Sequence, residues 1–188
     1  VLPLNLPNVL TVVRILLVPV LVVALLGETK DGDLLAAVVF AAASATDAID
    51  GYLARARNSV TTFGKLMDPI ADKLLVIAAL FALVSLGRVE AWIAMVIVTR
   101  ELAVTVTRMA ATAQGVVVAA AGWGKIKTMI QVAAIFFLIA FDPTPLAVDL
   151  LVYAAVAVTV ISGVDYFFGL RRMLREADER RRQAAETA

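Results

Sequence analysis

Six apolar stretches divide the chain, at roughly 9–26, 34–54, 69–86, 89–113, 126–141 and 146–170. Each is near the ~17–25 residues that a helix needs to cross a bilayer. Polar breaks separate them at Gly27–Asp33, Arg55–Asp68, Gly87-Arg88, Gln114–Gly124 and Asp142–Pro145. A chain cut in this way is expected to be all-α, with six transmembrane helices over residues 1–170 and a charged tail over 171–188. Composition agrees: 62% of the 188 residues are hydrophobic, against about 45–50% in an ordinary soluble domain. The very short break at Gly87 predicts a tight antiparallel pair of the third and fourth spans. The 114–124 boundary is soft, because Gly115–Ala121 is itself apolar. No cleavable signal peptide is expected, since no small-residue cleavage site follows the first apolar run.

Charge sets the orientation. The first, third and fifth connections carry only Lys30 and Arg88 as bases. The other end carries Arg55, Arg57, Lys65, Arg108, Lys125, Lys127 and six arginines of the tail. The positive-inside rule therefore places both termini in the cytoplasm. The tail, with charges of both signs, is expected to be a helix in water or on the headgroups. Trp92 and Trp123 read as interfacial anchors.

There are no cysteines and no histidines. Thiolate chemistry, imidazole metal ligands and a Ser-His-Asp triad are excluded, so proton transfer and metal binding fall to carboxylates. Asp47, Asp50, Gly51, Ala54 and Arg55 share one stripe of a helix, and Gly64, Asp68 and Asp72 share another. Each Asp near the membrane costs roughly 2.5–3.5 kcal/mol by insertion scales, and four together repel. A bound cation removes both penalties, and carboxylate oxygens suit Mg²⁺, Mn²⁺ or Ca²⁺. Two such ions can clamp the attacking and leaving oxygens of a phosphoryl displacement. Gly51, Ala54 and Gly64 either clear room for a ligand or serve close helix packing. Arg55 has the donors for a phosphate. Asp68 also stands where it can N-cap a helix beginning at Pro69.

The run Asp47, Asp50, Gly51, Ala54, Arg55, Gly64, Asp68, Asp72 resembles the complete signature of the CDP-alcohol phosphatidyltransferases, in residue and in spacing. The resemblance implies six transmembrane helices, a homodimer, and a site open to the cytoplasm that holds two Mg²⁺ or Mn²⁺ ions on Asp47, Asp50, Asp68 and Asp72. It implies that Asp72 also deprotonates the acceptor hydroxyl, and that Gly51, Ala54, Arg55 and Gly64 cradle the cytidine diphosphate. Asn8 and Thr11 either cap the first helix or touch the nucleotide.

Further segments are similar to one subgroup, the bacterial phosphatidylglycerophosphate synthases: Leu6–Arg14, Phe63–Lys73, Thr99-Arg100-Glu101 with Arg108, and Gly124–Thr128. The subgroup implies CDP-diacylglycerol as donor, sn-glycerol 3-phosphate as acceptor, and a bacterial inner membrane. An acceptor with a phosphate needs cations, and Arg14, Arg100, Arg108 and Lys125 are the candidates. Lys125 and Lys127 lie about 200° apart on one helix, so both cannot face one pocket; Lys125, with Thr128 a turn beyond it, is the weakly preferred one. Arg100, deep in the fourth span, is the most telling, because a lone cation there is costly; the plainer alternative is an ion pair with an aspartate or Glu101. Arg108, Lys125 and Lys127 alternatively serve as positive-inside anchors. Rival readings keep the chemistry with inositol phosphate or serine as acceptor, or make the chain a transporter. A transporter would spread charge through the bilayer depth, whereas these acids gather at one side. Nothing in the pattern points to nucleic acid.

Overall fold

The computed structural model describes residues 6–27, 31–57, 62–113 and 122–186. Among the described residues every regular element is a helix: α1 Leu6–Leu26, α2 Gly32–Arg57, α3 Thr62–Ser85, α4 Ala91–Ala113, α5 Gly122–Ala140 and α6 Leu146–Glu186. The six match the six apolar stretches in order. Their ends differ in an informative way. α2 runs past the expected end of its span to Arg57, and α3 starts at Thr62, two turns before Pro69. Asp68 therefore lies inside α3 and is not the N-cap of a helix beginning at Pro69. Pro69 removes only one backbone bond, and a helix supported by its neighbours tolerates that loss.

α1 packs along both α2 and α3, which touch each other far less. α5 lies against α2, α3 and α6, while α4 joins the bundle through α6 and α3. The interior is divided by polarity. The main apolar core takes Leu21, Leu25, Phe40, Leu80, Leu83, Ile93, Ile135 and Ile139, with small residues such as Ala36, Ala43 and Ala79 between them. These positions fall towards the ends of the helices that meet at the first, third and fifth connections. The buried polar side chains Thr11, Arg14, Glu101, Lys127, Gln131, Thr159 and Ser162 lie beyond that core. A second, smaller apolar cluster there, Val104, Ala111, Tyr166 and Leu170, joins α4 to α6.

The apolar end is closed by backbone and charge. α3 stops at Gly87, whose φ of 71° suits a residue without a Cβ. Arg88 N–H donates to Leu83 O at 2.9 Å and Gly87 N–H to Val84 O at 3.0 Å, the paired bonds that cap a helix with a left-handed residue. The short turn that this cap creates returns the chain directly into α4, which packs on α3. The Arg88 guanidinium then reaches Asp33 at 2.7 Å, Asp142 at 2.9 Å and the Ile139 carbonyl at 3.3 Å. One side chain thus ties the starts of α2 and α4 to the end of α5. The hydrogen bond to Asp33 is the largest influence raising Arg88 above its usual pKa, against the opposing effect of burial.

The outside of the bundle is apolar. Leu16, Val38, Phe81, Met95, Val106, Met129, Leu150 and Phe168 are exposed, so every helix shows large hydrophobic side chains. Among the described residues, two stretches are long and apolar enough to cross a membrane, Val9–Leu26 and Leu146–Met173. Gly32–Thr46, Lys73–Ser85 and Ile126–Ala140 are apolar but shorter. α6 continues without a break into the charged tail. Its 41 residues rise roughly 60 Å, about twice the hydrocarbon thickness of a bilayer.

Candidate active site

Asp47, Asp50, Gly51, Ala54 and Arg55 all lie on α2, and Gly64, Asp68 and Asp72 all lie on α3. Helical spacing puts Asp47 and Asp50 one turn apart, and likewise Asp68 and Asp72. The side chains of these eight residues, of Asn8 and of Lys125 lie outside the described residues. Among the described residues no group of three or more acids gathers to hold a metal ion. The donor chemistry of the four aspartates still fits hard divalent cations, because the chain has no thiol or imidazole to offer.

What surrounds those helix segments is well defined. α1 brings Thr11 and Arg14, one turn apart and each 1% exposed, to the polar end. Arg14 Nε donates to the Ala43 carbonyl at 3.4 Å, one turn before Asp47 on α2. The helix separating α2 from α3 thus places a buried cation against α2, one turn before the first aspartate.

On the other flank, Lys73 follows Asp72 directly and forms an ion pair with Glu101 of α4 at 2.8 Å. Glu101 is 2% exposed. It also accepts from Lys127 of α5, itself 3% exposed, and lies 3.5 Å from Arg100. Arg100 Nη2 donates to the Ser162 hydroxyl of α6 at 3.0 Å. Its Nε is buried with no hydrogen-bond partner among the described residues. One carboxylate therefore gathers cations from α3, α4 and α5, and the α3 cation, Lys73, is next in sequence to Asp72.

The sequence-derived acceptor cations fare differently. Arg14 and Arg100 are drawn into the polar end. Arg108 is exposed and lies over the Tyr166 ring at 5.7 Å, two turns along α4 from Arg100. Thr128 is exposed and its hydroxyl donates to Gly124 O. The buried lysine of α5 is Lys127, which sequence reasoning set aside in favour of Lys125 and read as a positive-inside anchor. The signal for it was Glu101, the one acid within α4: a carboxylate placed so deep requires a cation from a neighbouring helix.

An apolar groove of about 560 Å³ opens between α2, α3 and α5. Ser44, one turn from Asp47, and Leu75 and Val76, one turn from Asp72, line one part of it; Phe40, Phe136 and Phe137 extend it along the apolar core.

The chain matches the CDP-alcohol phosphatidyltransferase family over residues 4–161. It is 44% identical over 184 residues to the CDP-diacylglycerol–glycerol-3-phosphate 3-phosphatidyltransferase of Bacillus subtilis (strain 168), covering 87% of this chain and 93% of that protein. It is 43% identical over 177 residues to the probable phosphatidylglycerophosphate synthase of Mycobacterium tuberculosis (strain H37Rv), covering 92% and 83%. A Rickettsia felis protein with the same name as the Bacillus one is 35% identical over 169 residues, covering 87% and 93%.

Proposed function

Because the chain belongs to the CDP-alcohol phosphatidyltransferase family, we propose that it transfers the phosphatidyl group of CDP-diacylglycerol to sn-glycerol 3-phosphate, giving phosphatidylglycerophosphate and CMP. The observation that carries this reading is the full eight-residue signature on α2 and α3, set at the polar end of the bundle beside buried cations. Relatives of near-complete coverage that bear this activity in their names support the choice of acceptor.

Asp72 takes the proton from the acceptor hydroxyl. The freed oxygen attacks the lipid-bearing phosphorus, the bond from that phosphorus to the CMP oxygen breaks, and CMP leaves. No covalent enzyme intermediate is needed. Asp47, Asp50, Asp68 and Asp72 would hold two Mg²⁺ or Mn²⁺ ions, which lower the pKa of the hydroxyl and offset phosphate charge. Gly51, Ala54 and Gly64 leave room for the nucleotide, Arg55 meets its diphosphate, and Asn8 and Thr11 border it. Arg14, Arg100, Arg108 and Lys125 serve the acceptor phosphate. The groove between α2, α3 and α5 gives the donor's acyl chains a place that begins one turn from two of the aspartates, so its tails stay in lipid while its phosphates reach the site.

The membrane arrangement follows the same reading. All six helices span, both termini face the cytoplasm, and the site opens on that side of a bacterial inner membrane. Apolar side chains exposed on every helix support six spans, and the lysine and arginine bias supports the orientation. Two copies associate as a homodimer.

Purified protein supplied with CDP-diacylglycerol and Mg²⁺ should release CMP with glycerol 3-phosphate and not with inositol phosphate or serine. EDTA should abolish release and added Mg²⁺ restore it. Asp72→Asn should abolish it while leaving the thermal transition in place. Release with a different acceptor would overturn the substrate assignment; folded wild-type protein that releases CMP with none would overturn the activity.

A further inference from the structure

We infer that Glu101 is a positioning residue for the acceptor phosphate: it gathers Lys73, Lys127 and Arg100 from three helices into one anion-binding cluster beside Asp72. The inference rests on the activity proposed above and adds to it a residue that itself touches no substrate.

Geometry is the main argument. Glu101 sits in the middle of α4, 2% exposed, where a carboxylate is tolerated only with partners. It has three. Lys73 binds one carboxylate oxygen, Oε2, at 2.8 Å, while Lys127 and Arg100 share the other, Oε1. A single ion pair would neutralise a structural glutamate. Here cations from three helices instead meet at one carboxylate, and like charges are held together. A carboxylate that collects several cations presents them to a second anion.

The surroundings point the same way. Arg100 is held by Glu101 through Nη1 and by Ser162 through Nη2, so its guanidinium plane is fixed. Its Nε, a donor, is buried with no partner among the described residues. Gln131 Oε1, one turn beyond Lys127, and Thr159 Oγ1, one turn before Ser162, are also buried and without hydrogen-bond partners. Buried polar atoms are nearly always satisfied, and such exceptions mark a place where a polar ligand or water belongs. Lys73 adds the link to chemistry, because it shares a turn of α3 with Asp72. A phosphate monoester bound by Lys73, Lys127 and Arg100 would hold its alcohol close to the candidate base.

The test separates this role from that of a plain structural ion pair. In wild-type protein, kcat and both KM values are measured with glycerol 3-phosphate and CDP-diacylglycerol varied in turn. Inorganic phosphate is titrated as an inhibitor competing with the acceptor. Glu101→Gln should raise the KM for glycerol 3-phosphate and the Ki of phosphate at least tenfold, leaving the KM for CDP-diacylglycerol within twofold. Glu101→Gln with Lys127→Met removes both buried partners. It should recover the thermal stability lost in Glu101→Gln but keep the raised KM and Ki. If the double variant regains stability and acceptor KM together, Glu101 is a structural pair and the inference fails. It also fails if Glu101→Gln folds and changes neither KM, or changes both equally. Wild-type protein inactive with glycerol 3-phosphate would overturn the proposed function instead, a result distinct from either.

Discussion

Arg100 shows how a buried cation is made usable. Its head is held between Glu101 and Ser162, and its stem lies on Gly163, where an added Cβ would stand 3.2 Å from Cγ and 3.7 Å from Nε. Gly163→Ala should therefore push the stem by a few tenths of an ångström and raise the acceptor KM by a few-fold, with the fold intact by circular dichroism. Arg100→Ala should raise that KM by at least tenfold. Arg100→Lys should not restore it, because an ammonium cannot meet Glu101, Ser162 and a phosphate with one planar fork. Steady-state kinetics with glycerol 3-phosphate varied decide all three; an unchanged KM in Arg100→Ala would remove this residue from the acceptor site. The aspartate signature can be read from sequence because all four fall within 26 residues at helical spacing. The Glu101 cluster cannot, because its members stand on three helices and Lys127 is 26 residues from Glu101. Lying near the edge of an apolar run, Lys127 reads as an anchor until the neighbouring helix is in place.

At the level of elements, the end of the bundle remote from the aspartates is a structural device. Gly87 adopts a conformation that disfavours a Cβ, so Gly87→Ala should cost about 1–2 kcal/mol. Arg88 is 11% exposed, but its partners Asp33 and Asp142 are 40% and 57% exposed. Each pair is thus screened by water and contributes at most about 1 kcal/mol. Arg88→Ala should lower the thermal midpoint by a few degrees, less so at 1 M salt, and leave both KM values unchanged. A change in acceptor KM would show that the two ends are coupled. The six helices were readable from apolar run length, and the Gly87 turn from its brevity. Helix ends were harder to read: α2 and α3 extend through polar sequence, where backbone hydrogen bonding continues after hydropathy has fallen.

Across the whole molecule, polarity is sorted along the bundle rather than from inside to outside. Core leucines and isoleucines fill one end, buried charge fills the other, and apolar side chains cover the outside. This arrangement suits a protein whose solvent is lipid and whose chemistry takes place at one surface. Because the chain has no cysteine, single thiols can report its topology. With Thr144→Cys in the connection between α5 and α6 and Gln183→Cys in the tail, a membrane-impermeant maleimide should label the first only from outside and the second only from inside. Labelling of both from one side would refute a single membrane crossing by α6 between them, and the reverse sidedness would refute the orientation.

By itself the sequence determined the helical class, the number and order of helices, the connections in which basic residues collect and the helical spacing of the four aspartates. Each of these is local: run length, spacing within a turn or charge between runs is complete before any helix meets another. Tertiary structure decided which cations serve the interior. Whether a lysine at the edge of a span points to headgroups or to a buried glutamate depends on which helix packs against it. Packing α3, α4 and α5 together turned Lys73, Glu101 and Lys127 from three scattered charges into one cluster, because a carboxylate removed from water draws whatever cations its neighbours can bring.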